Sequence, residues 1–484
     1  MNTSAQSTSL ALLLASVGLT AAAPGIAAPA DSIDGRWNAS LTTQTGTVIP
    51  FRLDISGSGP TLKGTLYDGF DPYETTTAAK FEAGQLTLSI DHYLTTITAN
   101  VKEGQLTGNV VTQNRGSSAQ YGFQATRYVK PAAGATDAPS IAGSWEIPLD
   151  TPSSKGEKAF RLIVKQNGPE VAASILRVDG DTGAYSGTWR DGKWVLSHFD
   201  GSRPGVIVIS PQKDGTLQVL QNPERPEPVA TSASATQPTN TNVVKTSGKT
   251  YDDSIADGRY APALVAYRSE VARAKGLPEP DNYETHTTVR DPNEKFTFNF
   301  PDVEGHLISN DDPRFKGKVV LAIVTGTWCP NCHDEAQYLV KLDKKYRSKG
   351  LAIVALDFEE PEQQGSLARE RAFVKQYGVK YTYLIAGAPA EMWEKVPQAV
   401  NLNTWPATFF IGRDGRVKGV HSGFASPASG EFNRQLQQEF TSRIEALLAQ
   451  TPPQDQTKTA AAVTERSTRQ SEAGAGTPAG AGPG

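Results

Sequence analysis

The stretch "VVLAIVTGTWCPNCHDEAQYLV", Val319 to Val340, contains Cys329 and Cys332, the only two cysteines among 484 residues. The uninterrupted β-branched run before them is typical of a buried parallel strand, and the residues after them have the apolar spacing of a helix. Cys329 is therefore expected where a strand gives way to a helix, because unpaired N–H groups and the helix dipole stabilise a thiolate there. Pro330 suits the first helical turn. Cys332 is expected one turn further on, more buried and pointing back at Cys329.

Two cysteines at this spacing occur in several kinds of site. A structural disulfide across three residues removes little entropy from the unfolded chain, and a zinc site needs two more ligands whereas the six histidines are scattered. Cys329-Pro-Asn-Cys332-His333 also matches the haem-attachment pattern C-x-x-C-H, but it follows a core strand in an α/β pattern. We therefore favour a redox dithiol with no cofactor and no metal, and we expect His333 on an exposed helical turn.

Alternating element types surround the dithiol. A second buried strand is predicted over 351–357, a second helix over 366–378, a hairpin over 408–423 and a closing helix over 430–450. This order predicts an α/β domain over 286–450, with a mixed sheet covered on both faces.

The first half of the chain contains an internal repeat. Gly35-x-Trp37 is echoed by Gly143-x-Trp145, and "FRL" at 51–53 by "FRL" at 160–162, at an offset of about 110 residues. Both copies show the two-residue alternation of strands that have one wet face. We predict two tandem all-β units, each a meander or small barrel, over 31–133 and 134–222, with both tryptophans in the cores.

The remaining segments are predicted from composition. Residues 1–30 resemble a signal peptide, with an apolar run over 9–23 and a small-residue cleavage site at 28–30, although an Ala-rich leader is the alternative because no Lys or Arg precedes Arg36. Residues 223–285 are predicted as a linker with a possible helix over 261–275, and 451–484 as a disordered tail. We expect export to the bacterial periplasm or cell envelope, without stable membrane insertion after signal cleavage. The net charge of -4 argues against nucleic-acid binding.

The W-C-x-x-C dithiol and the later "TWPATFFIGRDGRV", residues 404–417, resemble the thioredoxin superfamily. The likeness extends over about 292–450 and is strongest to TlpA/ResA-type exported thiol–disulfide oxidoreductases. It implies a cis peptide bond before Pro406, opposite the dithiol, and a substrate groove formed by Trp328, Pro330, Trp405 and Pro406. It also implies a glutamate near Cys332 that takes and returns its proton; the alignment points to Glu360, with Glu359 as the alternative, or else to an exposed acidic loop.

The resemblance implies that the dithiol reduces disulfide-bearing envelope proteins and receives electrons from a membrane thiol transporter of the DsbD/CcdA kind. A thiol peroxidase is a second possibility, but Gly326 stands where such a site needs Thr or Ser. A third is a binding or scaffold protein in which the β units bind a partner and the dithiol is incidental. His92 and His198, one in each β unit, are interpreted as ordinary strand residues.

Overall fold

The computed structural model describes residues 32–114, 117–129, 138–181, 183–222, 251–252 and 262–451, together with Gly484. The predicted signal peptide, residues 223–250 and 253–261 of the predicted linker and residues 452–483 of the predicted tail lie outside them. None of the helices in the described residues combines the length and the apolarity that crossing a membrane requires. The described residues form a large all-β N-terminal region and a C-terminal α/β domain, as predicted.

A nine-stranded antiparallel sheet forms the first part of the β region, in the order β4-β3-β2-β1-β9-β8-β7-β6-β5. Alternate residues of its strands are buried, so that one face carries a core that includes Trp37, Leu53 and Phe123. A short 3₁₀ turn, Asp91–Tyr93, follows β6. The strands are β1 (Gly35–Thr42), β2 (Val48–Ser56), β3 (Lys63–Asp68), β4 (Asp71–Thr75), β5 (Ala78–Glu82), β6 (Gln85–Ile90), β7 (Thr95–Lys102), β8 (Gln105–Asn114) and β9 (Ser117–Arg127).

A closed eight-stranded antiparallel barrel forms the second part. Its interior contains Trp145, Phe160 and Trp194. The strands are β10 (Gly143–Pro148), β11 (Ala159–Asn167), β12 (Glu170–Leu176), β13 (Tyr185–Arg190), β14 (Lys193–His198), β15 (Gly205–Pro211), β16 (Leu217–Gln221) and β17 (Leu264–Arg268).

Strand β17 corrects two sequence predictions. The expected helix over 261–275 is wrong in its first half, because residues 264–268 pair with β10 and β16 to close the barrel; only α1 (Ser269–Ala274) is helical. The end of the second β unit at residue 222 is wrong for the same reason. Leu264 and Ala266 are buried and alternate with exposed or half-buried neighbours, which is the period of a strand, but the Ala-rich composition of the segment favoured a helix.

The two tryptophans of the repeat have matching surroundings. The indole N–H of Trp37 donates to the Ile33 carbonyl at 2.9 Å, and that of Trp145 donates to the Ile141 carbonyl at 2.9 Å. A guanidinium covers each ring, from Arg127 in β9 and Arg268 in β17, at 4.1 and 3.9 Å from the ring centroid. Strand β17 therefore corresponds to β9, displaced along the sequence by the segment after residue 222.

The C-terminal domain is built on a five-stranded sheet in the order β23-β22-β21-β25-β26. Strands β21, β22 and β23 are parallel, whereas β25 and β26 run antiparallel to their neighbours. The strands of the domain are β18 (Thr288–Val289), β19 (Asn299–Pro301), β20 (Leu307–Ser309), β21 (Val319–Thr325), β22 (Leu351–Phe358), β23 (Thr382–Gly387), β24 (Ala399–Val400), β25 (Ala407–Ile411) and β26 (Val417–Ser422). The helices are α2 (Pro330–Tyr346), α3 (Pro361–Gln364), α4 (Ala368–Tyr377), α5 (Met392–Lys395) and α6 (Glu431–Leu448).

Candidate dithiol site

The two cysteines lie where β21 gives way to α2. Every residue of β21 is buried, and Cys329 is the N-cap residue of α2, with extended backbone angles and Pro330 directly after it. The Cys332 amide donates to the Cys329 carbonyl at 3.0 Å, so that Cys332 lies within the first helical turn. Both thiols are reduced in the structure and almost fully buried, at 3% and 1% exposure. These are the positions that the sequence predicted.

Two tryptophans and a proline enclose the sulfur of Cys329. Its Sγ lies 3.4 Å from the carbonyl oxygen of Trp405, and the peptide bond between Trp405 and Pro406 is cis, as the resemblance implied. The Trp328 and Trp405 rings meet edge to face at 5.1 Å, and the Trp328 indole donates to the Phe358 carbonyl at 2.9 Å. The structure therefore brings Trp328, Trp405 and Pro406 to the dithiol.

The two thiols have opposite acidities. Burial raises the pKa of Cys329, but the hydrogen bond from Cys332 and the positive charges of Arg203 and Lys155 outweigh this effect and lower the pKa to about 7. Burial raises the pKa of Cys332 well above its ordinary value, and the neighbouring Cys329 sulfur raises it more. Cys329 is thus the thiol that ionises first, and Cys332 stays protonated as its hydrogen-bond donor.

A buried carboxyl group that the sequence analysis missed lies beneath the dithiol. Glu335 is fully buried and its Oε1 accepts a short hydrogen bond from the Thr408 hydroxyl, while Oε2 has no partner among the described residues. Burial raises the pKa of Glu335 to about 8, and the Cys329 sulfur contributes to the rise. Glu335 follows Cys332 by three residues on one helix face, and this spacing is the signal that the sequence offered.

The two glutamates predicted from the resemblance lie in a buried ion-pair cluster. Glu360 is 5% exposed and Glu359 is fully buried, so the alternative of an exposed acidic loop is wrong. Arg369 pairs with both, at 3.2 Å from Glu360 and closer to Glu359, which also accepts from Thr327. Burial raises the pKa of Glu360, although Arg369 opposes the rise. Glu360 lines the same cavity as Cys329; its role as the proton acceptor of Cys332 stays a prediction.

His333 was expected on an exposed turn, and that prediction is wrong. The ring is fully buried and stacks on Tyr93 at 4.3 Å. Its Nε2–H donates a hydrogen bond to the Thr327 carbonyl, and its Nδ1 shares a hydrogen bond with the Tyr377 hydroxyl. Burial, with a contribution from His92, lowers the pKa of His333 well below its ordinary value. Residues of the first β sheet thus cover this side chain, which could not be read from the helix alone.

A cavity of about 580 Å³ opens beside Cys329 and is bounded by both halves of the molecule. The C-terminal domain contributes residues from α2, α3, α5 and the loops next to them, and the barrel contributes Lys155, Asp179 and Arg203. The lining residues of the C-terminal domain that matter for the chemistry are Trp328, Cys329, Asn331, Glu360, Glu362, Asn403 and Trp405.

Comparison with known proteins gives the class of this domain. Residues 289–436 match the family model described as Redoxin. The chain is 34% identical to the thiol-disulfide oxidoreductase ResA of Bacillus thuringiensis (strain Al Hakam) over 24% of this chain and 60% of that protein. It is 31% identical to ResA of Bacillus thuringiensis subsp. konkukian over 30% of this chain and 72% of that protein. The C-terminal domain is thus a thioredoxin-superfamily domain.

The chain belongs to the ResA family of thiol–disulfide oxidoreductases. It spans about 60% of the length of the first curated relatives that it matches. Among solved structures it is similar to a putative thiol:disulfide interchange protein DsbE from Chlorobium tepidum, with 21% identity and a TM-score of 0.25, over 32% of this chain and 98% of that one. A secreted disulfide oxidoreductase of Mycobacterium tuberculosis matches at 21% identity and a TM-score of 0.24, over 31% and 96%.

Proposed function

We propose that this chain is an exported thiol–disulfide oxidoreductase that reduces disulfides of envelope proteins with Cys329 and Cys332. One observation carries the proposal: Cys329 caps a helix beside an open cavity, and its pKa is lowered to about 7. At pH 7 such a thiol is about half ionised, against about 3% for an ordinary cysteine. The reactive thiolate is therefore available at neutral pH.

In the first step, the Cys329 thiolate attacks one sulfur of the substrate disulfide. A bond forms between Sγ of Cys329 and that sulfur, the substrate disulfide breaks, and the second substrate sulfur leaves as a thiolate that takes a proton from water. The carbonyl of Trp405, before Pro406, lies beside the attacking sulfur, where the family resemblance puts the extended backbone of the substrate. Trp328 and Pro330 complete this groove.

In the second step, Cys332 loses its proton and attacks Sγ of Cys329. The mixed disulfide breaks, the substrate leaves with both sulfurs reduced, and the protein holds a Cys329–Cys332 disulfide; two electrons have passed to the substrate. Glu335 is the proton acceptor that we favour. Burial is the main cause of the raised pKa of Glu335, and the negative Cys329 sulfur adds to it. The contribution of the sulfur disappears once Cys329 is bound to substrate, which lowers the pKa of Glu335 and favours its action as a base.

A reductant must then return two electrons to the Cys329–Cys332 disulfide. A membrane thiol transporter of the DsbD/CcdA kind, with a reduced dithiol on the outer side of the membrane, is the donor class that the family resemblance supports. The apolar run over 9–23 supports export. The direction of electron flow depends on the reduction potential, so a potential more oxidising than the surrounding thiol pool would contradict the reductase assignment.

Insulin reduction by the full chain, with dithiothreitol as electron source, tests the activity. We expect Cys329→Ser to lower the catalysed rate by at least about a hundredfold, because no nucleophile remains. Cys332→Ser should instead accumulate the mixed disulfide, which mass spectrometry detects after mixing with a disulfide peptide. The matched variant Ser422→Ala, a buried Ser-to-Ala change in β26, controls for general damage.

Two outcomes would favour the rival functions. A wild-type chain that leaves insulin oxidised would favour a binding or scaffold role for the β region. Consumption of hydrogen peroxide by Cys329, without insulin reduction, would favour a thiol peroxidase. Glu335→Gln and Glu360→Gln separate the two candidate proton acceptors, since only loss of the true acceptor slows release of the mixed disulfide.

A further inference from the structure

The β barrel reaches the dithiol through two of its loops. Asn331, between the two cysteines, donates its side-chain N–H to the Asp179 carbonyl at 2.7 Å. Gly180 forms an isolated β-bridge with Phe424, and the Asn403 amide donates to the Lys155 carbonyl at 3.4 Å. The loops therefore contact both the Cys-x-x-Cys segment and the segment before Pro406.

These contacts hold a cationic side chain over the cavity. The Lys155 ammonium pairs with the Asp179 carboxylate, and its side chain is only 18% exposed. Because the carbonyl groups of both residues are hydrogen-bonded to the C-terminal domain, Lys155 is fixed with respect to Cys329. A second cation, Arg203, follows β14 in a half-buried loop and lines the same cavity.

We propose that Lys155 and Arg203 are positioning residues of the redox reaction, supplied by the barrel to stabilise the thiolate of Cys329. This inference rests on the proposed function. The active site is then a composite of two domains, in which α2 provides the sulfur and the barrel provides the facing positive charge. Negative charge also shifts between three sulfurs during exchange, and cations beside an enclosed cavity stabilise it more than they would in water.

Other ionisable groups face the same sulfur and must be weighed against the two cations. Carboxyl groups of Asp179, Glu360 and Glu362 lie on the cavity wall, and Glu335 and Cys332 lie in α2. Arg203 and Lys155 both lower the pKa of Cys329, and the effect of Arg203 is the larger. Burial lowers the pKa of Lys155 itself to about 7, so its charge is partly lost above neutral pH, whereas a guanidinium keeps its charge.

The test is the pH profile of Cys329 alkylation by iodoacetamide in the reduced full chain, read by mass spectrometry. We expect a wild-type midpoint near pH 7. Arg203→Gln should raise the midpoint by about one pH unit and slow alkylation at pH 7 by about fivefold. Lys155→Gln should raise it less, and the double variant should raise it most.

Conservative and distant substitutions separate a charge effect from a structural one. Arg203→Lys and Lys155→Arg keep the charge and should restore the wild-type midpoint. Arg203→Met and Lys155→Met keep the apolar stems and provide a second neutral pair if the glutamine variants fold poorly. Arg190→Gln and Lys193→Gln alter exposed cations at the β13–β14 turn of the same barrel and should leave the profile unchanged.

The outcomes distinguish the inference from the proposed function. If the neutral variants keep the wild-type midpoint near pH 7, the barrel does not position the thiolate and the inference is overturned, while the oxidoreductase proposal stands. If wild-type Cys329 itself ionises like an ordinary cysteine, the proposed function fails first. A raised midpoint in the neutral variants, restored in the charged ones, supports the composite site.

Discussion

The two parts of the β region contact the thioredoxin-like domain through different chemistry. The nine-stranded sheet, with the turn after β6, packs Tyr93 and His92 against the His333 ring, and Glu74 pairs with His92 in the same buried cluster. The barrel instead directs Lys155 and Arg203 toward the cavity of Cys329. The first contact is of the kind that stabilises a fold, and the second is of the kind that changes the reactivity of a sulfur. Two units with the same sequence repeat therefore serve the same domain differently.

The largest expected effect comes from separating the barrel from the dithiol. Gly180 has a φ of 120°, and a Cβ there would overlap the Phe424 carbonyl oxygen and lie 2.7 Å from Cγ of Asn331. Gly180→Val should cost about 4 kcal/mol of unfolding free energy, from backbone strain and overpacking together. It should also raise the pH midpoint of Cys329 alkylation. Urea unfolding and alkylation measure the two effects.

Gly192→Val is the matched control, because Gly192 also has a positive φ but no atom within 4 Å of its Cβ position. It should cost only the backbone strain and leave the alkylation profile unchanged. If Gly180→Val and Gly192→Val had the same unfolding free energy and the same alkylation midpoint, the close contact at Gly180 would have no effect on the acidity of Cys329.

Breaking the contact between the first sheet and the C-terminal domain should lower the stability of the protein without changing the acidity of Cys329. Glu74 is 3% exposed, pairs with His92 at 3.0 Å and accepts hydrogen bonds from Gln376 and Tyr377. Glu74→Ala removes the carboxylate that His92, Gln376 and Tyr377 share and leaves all three without this partner. It should therefore cost about 3 kcal/mol of unfolding free energy. The alkylation midpoint of Cys329 should not move. Glu82→Ala, at an exposed position of the same sheet, is the control. A shifted alkylation midpoint in Glu74→Ala would mean that the contact of the first sheet, like that of the barrel, changes the acidity of Cys329.

The unfolding free energy is expected to depend on pH through a buried histidine where the two β units meet. Burial disfavours the charged form of His198, but Asp200 and Asp68 outweigh it and raise the pKa of His198 to about 9. The stabilisation by the protonated ring is complete below the unfolded-state pKa of 6.5 and is lost as the pH rises through 9. We expect a loss of about 2 kcal/mol of unfolding free energy between pH 6.5 and 9.

Asp68 acts in the same direction but at lower pH. Burial raises its pKa from 3.8 to about 7, so the stabilisation by the protonated carboxyl is lost as the pH rises from 3.8 through 7. Urea unfolding of the oxidised protein is the suitable measurement, since the disulfide removes both thiols from this pH range. His198→Gln should flatten the decline, and an unchanged slope would show that this ring is not the titrating group.

The smallest effect is expected at the ion pair that joins the sheet to the barrel. Arg52 and Glu170 lie 2.7 Å apart with side chains 22% and 30% exposed. Pairs of this exposure contribute little, so Arg52→Gln should cost less than about 1 kcal/mol of unfolding free energy. A cost as large as that of Glu74→Ala would mean that the two β units depend on each other more than on the third domain.

The position of the two cysteines in the fold could be predicted from the local sequence, because the elements that define it are local. Cys329, Pro330 and Cys332 lie within one helical turn, and an unbroken apolar run predicts the strand before them. Glu335 was missed, although its position one turn after Cys332 could have been recognised from the sequence. The strand over 264–268 could not be predicted in this way, because a long segment after residue 222 separates it from its strand partners β10 and β16 and because its own composition favours a helix.

By itself the sequence determined the dithiol, its place at a helix start, the cis-proline segment opposite it and the repeated strands of the first half. The dithiol, its place at a helix start and the repeated strands follow from periodicity and spacing within short windows of the chain, whereas the cis-proline segment was implied by the family resemblance. Only the tertiary structure decided that His333 is buried, that the barrel closes with residues 264–268 of the predicted linker, and that Lys155 and Arg203 face the sulfur. Those outcomes depend on side chains more than a hundred residues apart meeting in a low-dielectric contact, and no local pattern encodes such a meeting.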